Sequence, residues 1–222
     1  MITPRNPSRR CEMDYLLNNL SYVGTLFLQH LQMTLEALAI GLFIALPLGV
    51  LINRVRWLRG PVMGVLGVVY TIPSLSLFVL LIPLFGLGVT PAVIALVAYA
   101  QLMLVRNWAI GLAGIDPAII EAADGLGMSG WQRFWKVEFP LALPLLLAGI
   151  RLATVSTIGI ATVAAYINAG GLGALLFVGV ETGNLQKILA GSLAVSVLAI
   201  GMNYLLRFLE HRSEVAIGRT GH

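Results

Sequence analysis

The sequence predicts an all-α integral membrane protein: five transmembrane helices, the N-terminus outside and the C-terminus inside, with a helix-turn-helix elbow on the cytosolic side. Three observations carry that expectation. First, the 222 residues are 58% hydrophobic and only 11% charged, with a mean hydropathy of +0.90, too little polar surface to coat a globule of this size. Second, uninterrupted apolar runs long enough to cross lipid recur along the chain. They are continuous rather than alternating, so helices rather than a closed barrel satisfy the backbone in hydrocarbon. Third, Lys and Arg fall asymmetrically between the runs.

The spans are expected at roughly 24–53, 61–85, 90–112, 138–167 and 186–209, each near or above the roughly 20 residues a bilayer demands. They lie in a transmembrane domain covering 30–209, with an N-terminal tail at 1–22 and a cytosolic tail at 210–222. In the first span the clean part, Ala37 to Ile52, reaches only about 24 Å against a core of roughly 30 Å, which puts Thr34 and Glu36 at the outer boundary. Phe85-Gly-Leu-Gly-Val-Thr-Pro91 is an uncharged turn, and Asn168-Ala-Gly-Gly-Leu-Gly173 opens a glycine-rich one. Residues 174–182 then form a short helix along the interface. Nothing before residue 23 has the apolar core and small-residue cleavage site of a secretory signal. The single Cys11 excludes an internal disulfide.

With the N-terminus outside, Arg54, Arg56, Arg59, Arg106, Arg133, Lys136, Arg207, Arg212 and Arg219 face the cytosol. Only Arg5, Arg9, Arg10 and Lys187 lie beyond it, so the positive-inside rule selects N-out, C-in. The three N-terminal arginines dissent, and a natural start at Met13 rather than Met1 would remove them. The excess of four positive charges thus concerns topology rather than nucleic acid.

The cytosolic elbow is expected at 116–136. Asp116 before Pro117 is an N-cap followed by the residue best tolerated at the first helical position, so a short helix runs from Pro117 to about Leu126. Gly127 ends it. Ser129 and Gln132 have capping-box spacing for a second short helix, with Trp131, Phe134 and Trp135 against the membrane interface and Arg133 and Lys136 facing headgroups or water. Pro140 and Pro144 stand where the chain returns to the bilayer.

The run Glu121-Ala122-Ala123, three residues, Gly127, nine residues, then Val137-Glu138-Phe139-Pro140 resembles the EAA loop of binding-protein-dependent ABC-importer permeases, with Val137 and Phe139 in place of Ile and Leu. The resemblance implies that Glu121, Ala122, Ala123 and Gly127 form a coupling helix docking on a separate ATPase. It covers roughly residues 30–209 and narrows to one branch. Thr71-Ile-Pro-Ser-Leu75, Arg106-Asn107, Leu141-Ala-Leu-Pro144, Ala148-Gly-Ile-Arg151 and Ala169-Gly-Gly-Leu-Gly173 are similar to permeases for glycine betaine, choline and carnitine. Tyr70 and Gln101-Leu-Met103 depart from that branch, and permeases for methionine or other small solutes are the alternative.

The resemblance further implies a multi-pass protein of the bacterial cytoplasmic (inner) membrane, osmoprotection as its role, an ABC ATPase dimer that holds ATP and Mg, and an extracytoplasmic binding protein. A second permease chain, identical or related, completes the complex, and alternating access is the mechanism. Cofactors on this chain are expected to be none, and metal sites none. Consistent with a separate ATPase, neither lysine, Lys136 after Trp135 nor Lys187 after Gln186, stands in a Gly-Lys-Ser/Thr phosphate loop.

Candidate pathway residues are Tyr70, Thr71, Ser74, Tyr99 and Tyr166. The tyrosines offer ring faces to a quaternary ammonium or else serve as packing and interface residues. Gln29, Gln32 and Glu36 share a helix face, lining an outer mouth or emerging into headgroups. Arg106 and Arg151 either snorkel to the cytosolic side or pair with Glu138 or Asp116. A catalytic alternative rests on Gly127-Met-Ser-Gly130, the Gly-x-Ser-Gly form of intramembrane serine proteases, but none of His30, His211 and His222 is placed to activate Ser129. A sensor or partner-holding subunit without transport is the third class.

Overall fold

A computed structural model describes residues 19–216. The N-terminal arginines, Cys11, Met13, Arg219 and His222 lie outside the described residues. All regular structure within them is helical: α1 (Leu20–Arg54), α2 (Arg56–Thr71), α3 (Ser74–Phe85), α4 (Val89–Ala113), α5 (Pro117–Gly125), α6 (Gly130–Arg133), α7 (Phe139–Val163), α8 (Gly173–Glu181) and α9 (Leu185–Ala216). A π-helical turn, Phe134–Glu138, joins α6 to α7, and a 3₁₀ turn, Ala164–Ile167, follows α7.

Among the described residues four helices are long and apolar enough to cross a membrane, or five if the pair α2 and α3 counts as one broken span. That pair departs from the expected continuous span at 61–85. Pro73 disfavours helical backbone at the residue before it, and Ile72 is extended (φ −63°, ψ 130°). The apolar run therefore continues while the helix does not.

The second arm of the elbow also differs from expectation. Instead of a separate short helix, the chain is helical without interruption from Gly130 to Ile167. Pro140 has no N–H and crowds the carbonyl four residues earlier. The π turn just before it widens the ladder, with the Phe139 N–H bonding to the Phe134 carbonyl, which is how such bulges absorb a misfit. At the other end α9 runs on through residues counted as tail, to Ala216.

The chain forms two compact units. One comprises, among the described residues, 19–36, 73–96 and 157–200. In it His30 is fully buried, its Nε2 3.1 Å from the Ile158 carbonyl. The Gly171 N–H donates to Gln29 Oε1 at 3.2 Å, and the Gly88 N–H to the Ile167 carbonyl at 2.9 Å. Gly171 has φ +76°, and a Cβ there would lie 3.0 Å from His30 Nδ1, so only glycine fits this turn without strain.

The other unit comprises 37–72, 97–156 and 201–216 of the described residues. Its core interleaves Leu38, Ala45 and Ile52 of α1 with Leu104, Val105 and Ala109 of α4 and Ala153 of α7. A second cluster centres on Trp108, whose indole N–H donates to the Leu46 carbonyl at 3.0 Å. Gln101 donates to the Gly41 carbonyl at 3.1 Å. Such interhelical hydrogen bonds replace the water that hydrocarbon lacks.

Candidate functional site: the capped elbow and its flanks

The elbow is built from local caps. Asp116 Oδ1 accepts the Ala118 N–H at 2.9 Å, with Pro117 opening α5. Gly127, at φ +72°, turns the chain, its N–H donating to the Asp124 carbonyl at 2.9 Å; left-handed backbone here favours glycine. Ser129 Oγ then accepts the Gln132 N–H at 3.3 Å while Gln132 Oε1 accepts the Ser129 N–H at 2.9 Å. This is the reciprocal box its spacing predicts.

The residue that ties the arms together is Arg133. Its Nη1 donates to both carboxylate oxygens of Asp124, at 2.6 and 2.7 Å, and its Nε donates to Glu138 Oε1 at 2.8 Å. The guanidinium therefore clamps the end of α5 to the π turn and is not spent on headgroups or water as expected. Its partners lie nine residues before it and five after it, outside the i, i+4 window in which a charge pair is recognisable from sequence.

Of the four expected coupling residues, Glu121, Ala122 and Gly127 are exposed, whereas Ala123 is buried and its carbonyl accepts the Met128 N–H at 3.2 Å. Ala123 thus has its smallness from packing against its own chain. Leu126 stands 78% exposed just past the end of α5; an isolated leucine carries no pattern in the sequence that marks it. Beside the elbow a cavity of about 620 Å³ gathers Asn53, Arg56 and Arg59 opposite Pro117, Ile120 and Glu121.

The pathway candidates divide. Tyr70 and Tyr99 meet edge-on at 6.0 Å, but Tyr99 is buried and its hydroxyl donates to the Ile72 carbonyl at 2.6 Å. It satisfies a backbone acceptor at the α2–α3 break, and its ring face is not open to a cation. Thr71 donates to the Val68 carbonyl at 2.7 Å, and Ser74 opens α3. Tyr166 belongs to the other unit, exposed beside Phe177 at 5.8 Å.

In that unit Gln29, Gln32 and Glu36 do share a face. They line a polar cavity of about 260 Å³ with Asn168 and Gly170, and Gln32 donates to Glu36 at 2.8 Å. Arg151 pairs with neither Glu138 nor Asp116: its Nε donates to Glu210 at 2.8 Å, and Asn203 lies 3.4 Å from its Nη1. Glu138 is already held by Arg133. Arg106 shares a cavity of about 500 Å³ with Arg59 and forms no ion pair among the described residues. Ser129 Oγ serves as the cap, with no histidine bonded to it among the described residues.

Comparison with known proteins places this architecture. Residues 37–215 match the model of the binding-protein-dependent transport system inner membrane component. The osmoprotectant import permease protein OsmW of Salmonella typhimurium is 43% identical over 214 residues, covering 94% of this chain and 98% of that protein. The glycine betaine/carnitine/choline transport system permease protein OpuCB of Bacillus subtilis is 39% identical over 184 residues, covering 83% and 85%. Among solved structures, an inward-facing form of the MetNI methionine ABC transporter aligns with a TM-score of 0.72 and 26% identity, covering 92% of this chain and 97% of that one.

Proposed function

The chain belongs to the family of binding-protein-dependent transport system inner membrane components, and from that premise we propose that it forms the membrane pathway for an osmoprotectant such as glycine betaine, choline or carnitine. It is a permease subunit of the inner membrane and works with a separate ATPase and a substrate-binding protein. The observation that carries the solute class is the 43% identity to an osmoprotectant import permease across nearly the whole of both chains.

In this proposal the chain crosses the bilayer five times, N-out and C-in, the pair α2 and α3 counting as one broken span. Two copies, or this chain and a related one, face two ATPases. The elbow is the lever. Exposed Glu121, Ala122, Gly127 and Leu126 meet the ATPase surface, with Leu126 as an apolar contact. Closure of the ATPases on ATP displaces the elbow as a rigid body because Arg133 locks its arms, and the helical run continuous with the second arm carries the displacement into the membrane. Alternating access by rocking of packed helices follows.

Reconstitution with the ATPase and binding protein, reading uptake of labelled betaine, tests both parts. Glu121→Lys is expected to leave the permease inserted and to abolish uptake; undiminished uptake would remove the elbow from the coupling path. The likeness to a methionine transporter supports a second solute. Excess unlabelled methionine is expected to leave betaine uptake unchanged, and competition by methionine would favour that solute.

A further inference from the structure

A groove of about 780 Å³ beside the elbow, unlike the three cavities described above, is lined almost wholly by apolar surface. One wall is α1, through Leu46, Val50 and Leu51; the other is the helical second arm, through Trp131, Trp135 and Phe139. Trp108 forms the floor, edge-on to Phe139 at 5.7 Å, with its indole N–H already spent on the Leu46 carbonyl. Arg54 stands at one end of the groove and forms no ion pair among the described residues. Trp131 and Trp135, 5.6 Å apart, are both exposed, and among the described residues neither indole N–H has a hydrogen-bond partner.

We infer that this groove is a binding site for one membrane phospholipid, an acyl chain lying between α1 and the elbow and the phosphate held by Arg54, with the two indole N–H groups as further donors. Leu46 lies eight residues before Arg54, so the groove runs about 12 Å along α1 from the only charged residue in its lining among the described residues. That depth takes its far end out of the headgroup layer and into hydrocarbon, where a soluble partner does not reach. Arginine offers phosphate a fork of donors. Paired tryptophans are typical of the headgroup boundary, and basic residues between helices on the cytosolic side are recurrent lipid headgroup sites. The site rests on the proposed topology, in which the elbow lies on the cytosolic side of the membrane; it does not depend on the solute or on ATPase coupling. A lipid held there packs directly on the second arm and would move with it.

Native mass spectrometry of the complete transporter, extracted in mild detergent with its partners bound, is the test. One phospholipid retained per permease chain is expected. Arg54→Ala should lower retention by about tenfold, the scale of a lost charge-assisted hydrogen bond. Leu51→Trp, which fills the groove from an exposed position, should abolish it, and Arg59→Ala should leave it unchanged. A second measurement needs no variant: phospholipid with brominated acyl chains, added at one equivalent per permease to the complex in detergent, is expected to quench tryptophan emission to a plateau. Retention insensitive to both groove variants, quenching that rises only with bulk lipid fraction, or cross-linking from position 131 exclusively to a second permease chain would each overturn the inference. Transport is not read in any of these, so their failure leaves the importer function standing.

Discussion

The elbow and the glycine-rich turn at 168–173 both reverse the chain between helices, yet they are held by opposite means. In the elbow every cap comes from within three residues: Asp116 on Ala118, Ser129 and Gln132 on each other. At the turn the partners are remote, Gln29 reaching Gly171 across 142 positions, and the nearby His30 reaching Ile158 across 128. A locally capped element keeps its shape while its surroundings shift, which suits a lever. A turn stitched to a distant helix is only as fixed as that helix.

The comparison breaks most sharply at Arg133, whose side chain bonds to both arms of the elbow. Arg133→Ala is expected to cost about 2 kcal/mol, since it leaves Glu138, only 12% exposed, without its charged partner. Thermal unfolding of the purified complex measures the loss, and coupling of ATP hydrolysis to transport should fall with it. Arg133→Lys should rescue little, because an ammonium cannot fork to both carboxylates. Equal unfolding temperatures for wild type and Arg133→Ala would mean that the arms do not depend on the clamp.

Next in size is Gly171→Ala. With φ at +76° and His30 Nδ1 3.0 Å from the new Cβ, strain and crowding together should cost about 1–2 kcal/mol. Lower yield of folded protein and easier proteolysis after residue 168 are the expected readouts. An unaffected variant would show that the remote stitching tolerates more than its geometry suggests.

The smallest effect is expected at Ser129→Ala, which removes one cap for about 1 kcal/mol and leaves uptake nearly intact. Loss of all activity with folding preserved would instead revive a chemical role for this serine.

These two regions also divide what was legible beforehand. Asp116-Pro117, Gly127 and the Ser129–Gln132 spacing act through bonds inside one or two helical turns, so their residues announce them. The Arg133 clamp was missed because Asp124 and Glu138 sit outside any standard spacing. Arg151 was offered two partners and took a third, Glu210, 59 residues away. The break at Ile72-Pro73 was present in the residues, but a run read for hydropathy alone continues straight through it. Tyr99, considered as a pathway ring, proved to be committed to a carbonyl at that break.

By itself the sequence determined that the protein is a bundle of membrane helices with an exposed, capped elbow, because burial in lipid and helix capping are set by composition and by neighbours a few residues apart. Only the tertiary structure decided which charges meet, which tyrosine is buried, where an apolar run bends and which alanine turns inward. Those outcomes depend on segments far apart in the chain being brought within hydrogen-bonding or van der Waals distance, and a linear pattern carries no such distances.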